Sequence, residues 1–136
     1  MTKPMILVVE DEWMVAEDIR SSLDAEGYAT FVATSGEEAL VLAERIKPIL
    51  VLMDVHLKGN LLGTEAAGKI RELFDIPVVY LTAHADQTTL EAAQATKPLA
   101  FLVKPIQMNT LVTHIDTALA RVSQVWLGLS NVFKKG

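Results

Sequence analysis

The stretch Val51-Leu52-Met53-Asp54-Val55-His56-Leu57-Lys58-Gly59 combines an apolar run with a single carboxylate. The run stops at Asp54, as expected of a short buried strand that ends at an acid. In open α/β sheets, ligands bind in the crevice outside the carboxyl ends of the strands. The stretch therefore predicts that Asp54 lies at the functional edge of such a sheet.

The bulk composition indicates one soluble domain. The chain has 136 residues, of which 51% are hydrophobic, enough for a single core. It has no cysteine, which excludes disulfides and thiolate metal sites and suits a reducing cytoplasm. The first apolar run, residues 5–9, is too short for a signal peptide or a membrane span. We expect a cytoplasmic protein without membrane insertion.

The charge of the chain disfavours direct nucleic-acid binding. Its formal net charge is -5, and its cationic cluster is confined to Lys134 and Lys135 at the end of the chain. Sequence-independent binding to nucleic acids needs a basic face that replaces counterions on the phosphates. We therefore expect no direct contact with nucleic acid.

Five short β-rich runs alternate with amphipathic stretches of helical periodicity. This alternation predicts an α/β fold, a doubly wound parallel sheet with helices on both faces. A first helix is predicted over residues 13–26, a capping box of Ser35 and Glu38 at the start of the second, and Asp86 or Thr88 as the cap of the fourth. The predicted strands are residues 5–9, 29–33, 49–53, 77–81 and 99–103.

Chemically useful side chains follow four of these strands. Glu10 and Asp11 come after the first, Asp54 after the third, Thr82 after the fourth and Lys104 after the fifth. If the first and third strands are neighbours, three carboxylates meet in one crevice and repel each other unless a cation intervenes. Oxygen ligands of this kind suit Mg²⁺ better than Zn²⁺.

A carboxylate beside such a cation can attack a phosphoryl group, because the metal neutralises the oxygens that would repel it. Asp54 is the best-placed nucleophile. Thr82 and Lys104 offer a hydroxyl donor and a fixed cation to the other phosphate oxygens, and Ala83 is small enough to leave the approach open. Each of these residues alone is ordinarily a solvated loop residue, so the prediction depends on the joint pattern.

The site residues lie in four segments: Val8-Val9-Glu10-Asp11, Leu52-Met53-Asp54, Pro77-Val78-Val79-Tyr80-Leu81-Thr82-Ala83 and Phe101-Leu102-Val103-Lys104-Pro105. With these segments, the stretch from about residue 5 to residue 122 resembles the receiver domain of two-component response regulators. The resemblance implies a flavodoxin-like five-stranded sheet of order 2-1-3-4-5 with about five helices.

The resemblance also implies roles for single residues. Asp54 would accept a phosphoryl group from a histidine kinase or phosphotransfer protein, and Thr82 and Lys104 would hold the phosphoryl oxygens. Mg²⁺ would be bound by Asp11, Asp54 and the backbone carbonyl of His56, with Glu10 acting through metal-bound water. The chain would assist its own phosphorylation and dephosphorylation without being a turnover enzyme.

The resemblance further implies a switch in which Thr82 moves toward the phosphate and Phe101 rotates into the vacated space. Phenylalanine has no hydroxyl to stabilise an outward state, so the switch would depend more on packing. The alternative is that Phe101 is a core aromatic residue in both states.

His56 and His84 each lie two residues beyond a site residue. We hypothesise that they flank the pocket and make the lifetime of the aspartyl phosphate depend on pH near neutrality. The alternative is that both are solvated loop residues. An unchanged dephosphorylation rate and pH profile after replacing both with alanine would remove the hypothesis.

The C-terminal apolar residues form a heptad seam that continues beyond the domain. We expect a receiver domain over residues 1–121 and a helical extension or tail over residues 122–136. The extension would form a homodimer or continue as a signalling helix, and the alternative is a tail that folds back on the domain or is disordered. The seam residues are Leu111, Ile115, Ala118, Val122, Val125, Leu129 and Val132, widened by Leu119, Trp126 and Phe133.

We therefore expect a phosphoacceptor signalling switch. Because no effector domain follows the receiver, output would pass through a partner or self-association, unless the chain is a fragment. Two alternatives remain: a pseudo-receiver that is not switched by phosphate, and an aspartyl-phosphate phosphohydrolase resembling the haloacid dehalogenases. The second would need an acid two residues after the nucleophile, where this chain has His56.

Overall fold

The structure, a computed structural model, describes residues 3–57, 59, 61–83 and 86–135, with side chains up to residue 122. In this part of the chain, five strands and five helices alternate, as the sequence predicts. The strands are β1 (Met5–Val9), β2 (Ala29–Ala33), β3 (Leu50–Met53), β4 (Val78–Thr82) and β5 (Ala100–Val103). The helices are α1 (Trp13–Ala25), α2 (Gly36–Ile46), α3 (Gly63–Phe74), α4 (Gln87–Gln94) and α5 (Met108–Lys135).

All strand pairs are parallel, and the order is β2-β1-β3-β4-β5, which confirms the flavodoxin-like fold. The chain runs outward from β1 to β2 and then returns past β1 to form β3. This reversal opens a crevice at the carboxyl ends of β1 and β3. Because Val9 is paired with Met53, the residues that follow, Glu10 and Asp54, come out of the sheet side by side.

The core has two layers, one on each face of the sheet, because successive strand residues point to opposite faces. Alternate residues of β1 and β3 fill both layers, and β3 and β4 are buried throughout. One layer packs against α2 and α3 through small residues such as Ala39 and Ala67. The other packs against α1 and α5 through Ile19, Leu23 and Ile115.

Several element ends differ from the sequence prediction. Thr82 is the last residue of β4 and not the first residue after it, and α1 ends at Ala25. The Ser35 side chain accepts from the Glu38 N–H at 3.1 Å, as predicted, but the Glu38 carboxylate accepts from the Thr34 hydroxyl at 3.4 Å. Local hydrogen bonds therefore set these ends, which apolar periodicity alone does not resolve.

Asp86 is the cap of α4. Its carboxylate accepts from the Thr89 N–H at 2.8 Å, which decides between the two predicted capping residues. A carboxylate at this position also interacts favourably with the helix dipole.

The last helix is extended, as expected. Leu111, Ile115 and Ala118 are buried against the sheet, whereas Val122 is 38% exposed. The seam side chains from Val125 to Phe133 lie outside the described ones, so their contacts stay a prediction, as does the division of the chain at residue 121. None of the described helices is long and apolar enough to cross a membrane.

Gly63, the first residue of α3, lies against the backbone of the strand that carries Asp54. A Cβ atom at this position would be 2.3 Å from the carbonyl oxygen of Asp54 and 2.8 Å from the Cα atom of Val55. The Gly63 N–H donates to the Val55 carbonyl at 3.2 Å. Only glycine permits this close approach of two backbone segments.

We expect Gly63→Ala to destabilise the fold by about 1–3 kcal/mol, because the methyl group meets backbone that cannot move away alone. Gly68→Ala is the matched control on the same helix. Its Cβ atom would lie 3.7 Å from the nearest side chain, an ordinary contact, so we expect no loss of stability. Urea unfolding of both variants measures the difference, and equal midpoints would contradict the prediction.

Candidate functional site

Three carboxylates lie together where β1 and β3 end. The Asp54 N–H donates to the Val9 carbonyl at 3.0 Å and the Glu10 N–H to the Ala33 carbonyl at 2.9 Å, so the sheet continues into the site. One carboxylate oxygen each from Glu10, Asp11 and Asp54 can be chosen so that all three lie within 4.8 Å of one another. The structure thus brings the acids of two strands into one cluster, as the sequence predicts.

Lys104 provides the cation of this cluster. Its Nζ atom lies 2.8 Å from Glu10 Oε1 and 3.3 Å from Asp54 Oδ2. The backbone fixes the position of the lysine, because its N–H donates to the Thr82 carbonyl at 2.8 Å. One ammonium group therefore bridges acids from two different strands and reduces their mutual repulsion.

The acids are far more buried than surface carboxylates. Glu10 is 2% exposed and Asp54 is 7% exposed. Burial, together with the neighbouring Asp54, raises the pKa of Glu10 to about 8, although Lys104 acts in the opposite direction. Burial by itself lowers the pKa of Lys104, but the hydrogen bond to Glu10 and the charges of both acids outweigh burial and raise it.

The donor set fits a hard divalent cation. Glu10 Oε2 is buried and has no hydrogen-bond partner among the described residues, although its other oxygen accepts from Lys104. A carboxylate oxygen in that position is costly unless a cation or a proton compensates it. Glu10, Asp11 and Asp54 provide only oxygen ligands, which Mg²⁺ prefers.

Thr82, Ala83 and His56 lie at or just after the carboxyl ends of β3 and β4. Thr82 is fully buried at the end of β4, and Ala83 is exposed. The His56 N–H donates to Asp54 Oδ1 at 3.0 Å, and the His56 side chain is exposed. His84 lies outside the described residues, so the hypothesis of a histidine pair stays a prediction.

Phe101 is half-buried on β5, and its ring centroid lies 5.8 Å from that of Tyr80 on β4, with the planes at 47°. It is therefore one member of an aromatic pair. The Tyr80 side chain, its partner Thr96 and the glycine at position 63 had no functional role in the sequence prediction. In the sequence, only the residue type of Gly63 pointed to the close packing at this position. The close approach joins backbone segments eight residues apart, which local patterns do not reveal.

The comparisons with known proteins point to one family. Residues 6–116 match the family described as the response regulator receiver domain. The chain belongs to the response regulator receiver family. It is therefore a member of a family of signalling switches, and its sheet edge corresponds to the acidic pocket at which receiver domains bind Mg²⁺.

Similar proteins agree with this assignment. The transcriptional regulatory protein PdtaR of Mycobacterium tuberculosis is 36% identical to this chain over 121 residues. The aligned region covers 88% of this chain and 58% of PdtaR. This chain is 31% identical, at a TM-score of 0.82, to the signal receiver domain of a modulated diguanylate cyclase from Desulfovibrio desulfuricans, covering 88% of this chain and 96% of that one.

A CheY-like receiver domain protein from Methanospirillum hungatei has a TM-score of 0.86 at 23% identity, with 90% of this chain and 98% of that one covered, and supports the fold. The receiver spans little more than half the length of the curated relatives it matches.

We expect Mg²⁺ to raise the melting temperature of the protein, because a cation that binds the folded acidic cluster stabilises the folded state. Differential scanning calorimetry at constant ionic strength measures the shift. Asp11→Asn should remove most of it, whereas Asp18→Asn, which changes an exposed acid on α1, should leave it intact. An equal shift in both variants would show that the effect is nonspecific.

Proposed function

We propose that this receiver is a phosphorylation-dependent switch in which Asp54 accepts a phosphoryl group from a histidine kinase or phosphotransfer protein. The observation that carries the proposal is the position of Lys104 Nζ between Glu10 and Asp54, above three acids that can hold Mg²⁺. Family membership alone does not identify the phosphoacceptor residue, the metal ion or the class of phosphoryl donor.

The two oxygens of Asp54 have different partners. Oδ1 accepts from the His56 N–H at 3.0 Å, and Oδ2 lies 3.3 Å from Lys104 Nζ. These contacts hold the carboxylate in one orientation, which favours attack on a phosphorus atom placed in line with it. The His56 backbone would thus orient the Asp54 carboxylate by its N–H, and the His56 carbonyl would be available to the metal.

In the proposed transfer, a bond forms between an Asp54 oxygen and phosphorus while the phosphorus–nitrogen bond of a phosphohistidine breaks. The histidine leaves with the electron pair of that bond and regains a proton. Asp11, Asp54 and the His56 carbonyl would hold Mg²⁺, with Glu10 acting through water, and the ion would neutralise phosphoryl charge. Lys104 shifts its hydrogen bond from the carboxylate to a phosphoryl oxygen, and the Thr82 hydroxyl donates to another.

Dephosphorylation is the attack of water on the same phosphorus atom, which releases inorganic phosphate and restores the Asp54 carboxylate. The same lysine and metal would assist this step, because charge develops on the same oxygens. The chain would therefore act as substrate and helper in both directions.

The switch would pass from Thr82 to Phe101. Thr82 ends β4 and Phe101 lies in the adjacent strand, where Tyr80 and Phe101 are direct partners in the register. A movement of Thr82 toward the phosphoryl group would leave space on this side of the sheet, and inward rotation of Phe101 would fill it. The altered face of α4, β5 and α5 would then favour one partner arrangement over another.

We further propose that a second copy of this chain pairs with the C-terminal half of α5. The helix continues to Lys135, well beyond Ala118, the last buried side chain among those described up to residue 122. An apolar heptad seam on such a helix favours a coiled coil with an identical helix.

Incubation with acetyl phosphate and Mg²⁺ should raise the intact mass by one phosphoryl group, because the small donor needs only the site itself. Asp54→Asn should show no increase. Asp75→Asn is a control acid at the far end of α3 and should react as the wild type does. An unreactive wild-type chain would favour the pseudo-receiver alternative, and sustained hydrolysis of a phosphate monoester, which is not an activated phosphoryl donor, would favour the phosphohydrolase.

The full chain should show a mass in light scattering that rises with concentration toward that of a dimer, whereas a version that ends at Arg121 should remain a monomer. Leu129→Asp, on the seam, should shift the full chain toward the monomer because it places charge in the apolar contact. Ser130→Asp, one position off the seam, should not. A concentration-independent monomer mass for the full chain would remove the dimer.

A further inference from the structure

A partly buried chain of hydroxyl groups connects the sheet to the end of α4. Tyr80, whose side chain is fully buried in β4, lies with its hydroxyl 2.7 Å from Thr96 Oγ1. Thr96 Oγ1 in turn donates to the Ala93 carbonyl at 2.6 Å. Tyr80 belongs to β4, Thr96 to the turn after α4, and Ala93 to α4 itself.

The number of hydroxyl protons determines which group donates in each of these two hydrogen bonds. A threonine hydroxyl has one proton, and that of Thr96 is directed to the Ala93 carbonyl. Tyr80 therefore donates to Thr96 Oγ1. Burial raises the pKa of Tyr80 despite the opposing effect of Thr96, so the phenol keeps its proton at neutral pH. Consecutive hydrogen bonds of this kind polarise and strengthen one another.

The helix at the end of this chain contributes few buried side chains to the core. It has eight residues, and Ala93 is its one fully buried residue. An open cleft of about 560 Å³ borders the turn that follows, lined in part by Gly68 and Arg71 of α3 and by Thr96 and Lys97. Packing from that side therefore gives little resistance to a displacement of the helix end.

The donor of the chain lies among the residues of the proposed switch. Tyr80 and Thr82 are two positions apart on β4, so their side chains share one face of the sheet. Tyr80 is also the direct strand partner of Phe101, and the two rings are in contact distance. Any inward movement of Phe101 changes the surroundings of the Tyr80 ring.

We propose that the hydrogen-bond chain from Tyr80 through Thr96 to Ala93 is a tether that holds α4 in its resting position and couples it to Thr82 and Phe101. Tyr80 is then a positioning residue for the switch, and it provides the hydroxyl that Phe101 lacks. Release of the tether favours the phosphorylated arrangement, because less free energy is needed to displace α4. This inference rests on the proposed function of Asp54.

The test removes the hydroxyls singly and together in the full chain. Tyr80→Phe keeps the ring, and Thr96→Val keeps the shape of the side chain. Tyr28→Phe is the matched control, because its hydroxyl donates to the Asp116 carboxylate, which lies on α5 and not on α4. If Tyr80→Phe does not fold, Thr96→Val still breaks the same chain.

Hydrogen exchange measured by NMR in the unphosphorylated protein tests the tether itself. Amides of α4 should exchange about five- to tenfold faster in Tyr80→Phe and in Thr96→Val, a factor typical of losing a buried hydrogen bond. The double variant should exchange no faster than either single variant, because both break one chain. Amides of α1 and α2 should be unaffected, and Tyr28→Phe should leave α4 unchanged.

Unchanged exchange in α4, additive effects of the two substitutions, or faster exchange in all helices would overturn the tether.

The coupling is tested by the rate at which acetyl phosphate and Mg²⁺ load Asp54. We expect Tyr80→Phe and Thr96→Val to load about two- to fivefold faster than the wild type and Tyr28→Phe to load at the wild-type rate. Faster exchange of α4 without faster loading would overturn the coupling. A wild-type chain that takes no phosphoryl group overturns the proposed function, and the coupling with it, whereas the exchange measurement still decides whether the tether exists.

Discussion

The ammonium group of Lys104 lies between two carboxylates that reach the same point from different strands. Without a compensating charge, Glu10 and Asp54 would repel each other in a site where water screens them poorly. The lysine reduces this repulsion only partly, since Glu10 keeps a raised pKa and a buried oxygen without a described partner. Three carboxylates face one ammonium group in this cluster, which favours binding of a cation.

The geometry of this cluster is a consequence of sheet topology. The reversal of direction after β2 makes β1 and β3 neighbours, and the pairing of Val9 with Met53 sets Glu10 beside Asp54. Gly63 then brings the start of α3 against the Asp54 backbone. Asp54 thus lies on a densely packed support, which helps to keep its carboxylate in one orientation.

The opposite edge of the molecule is built differently. β4 is buried along its whole length, but α4 beside it is short and has one fully buried residue. A rigid strand that carries Thr82 next to a weakly held helix concentrates conformational change in the helix, because the least stable elements open most readily. Such an arrangement suits a switch, in which the site must stay fixed while a surface changes.

The sequence alone determined the fold class, most strand positions and which polar residues lie at the carboxyl edge of the sheet. Those features depend on local patterns: apolar runs mark buried strands, and polar residues directly after them mark one edge of the sheet. Tertiary structure decided that Glu10 and Asp54 share Lys104, that Gly63 must lack a side chain and that Tyr80 contacts Thr96. These contacts join residues distant in the chain, so they depend on strand register and side-chain packing, which periodicity does not encode.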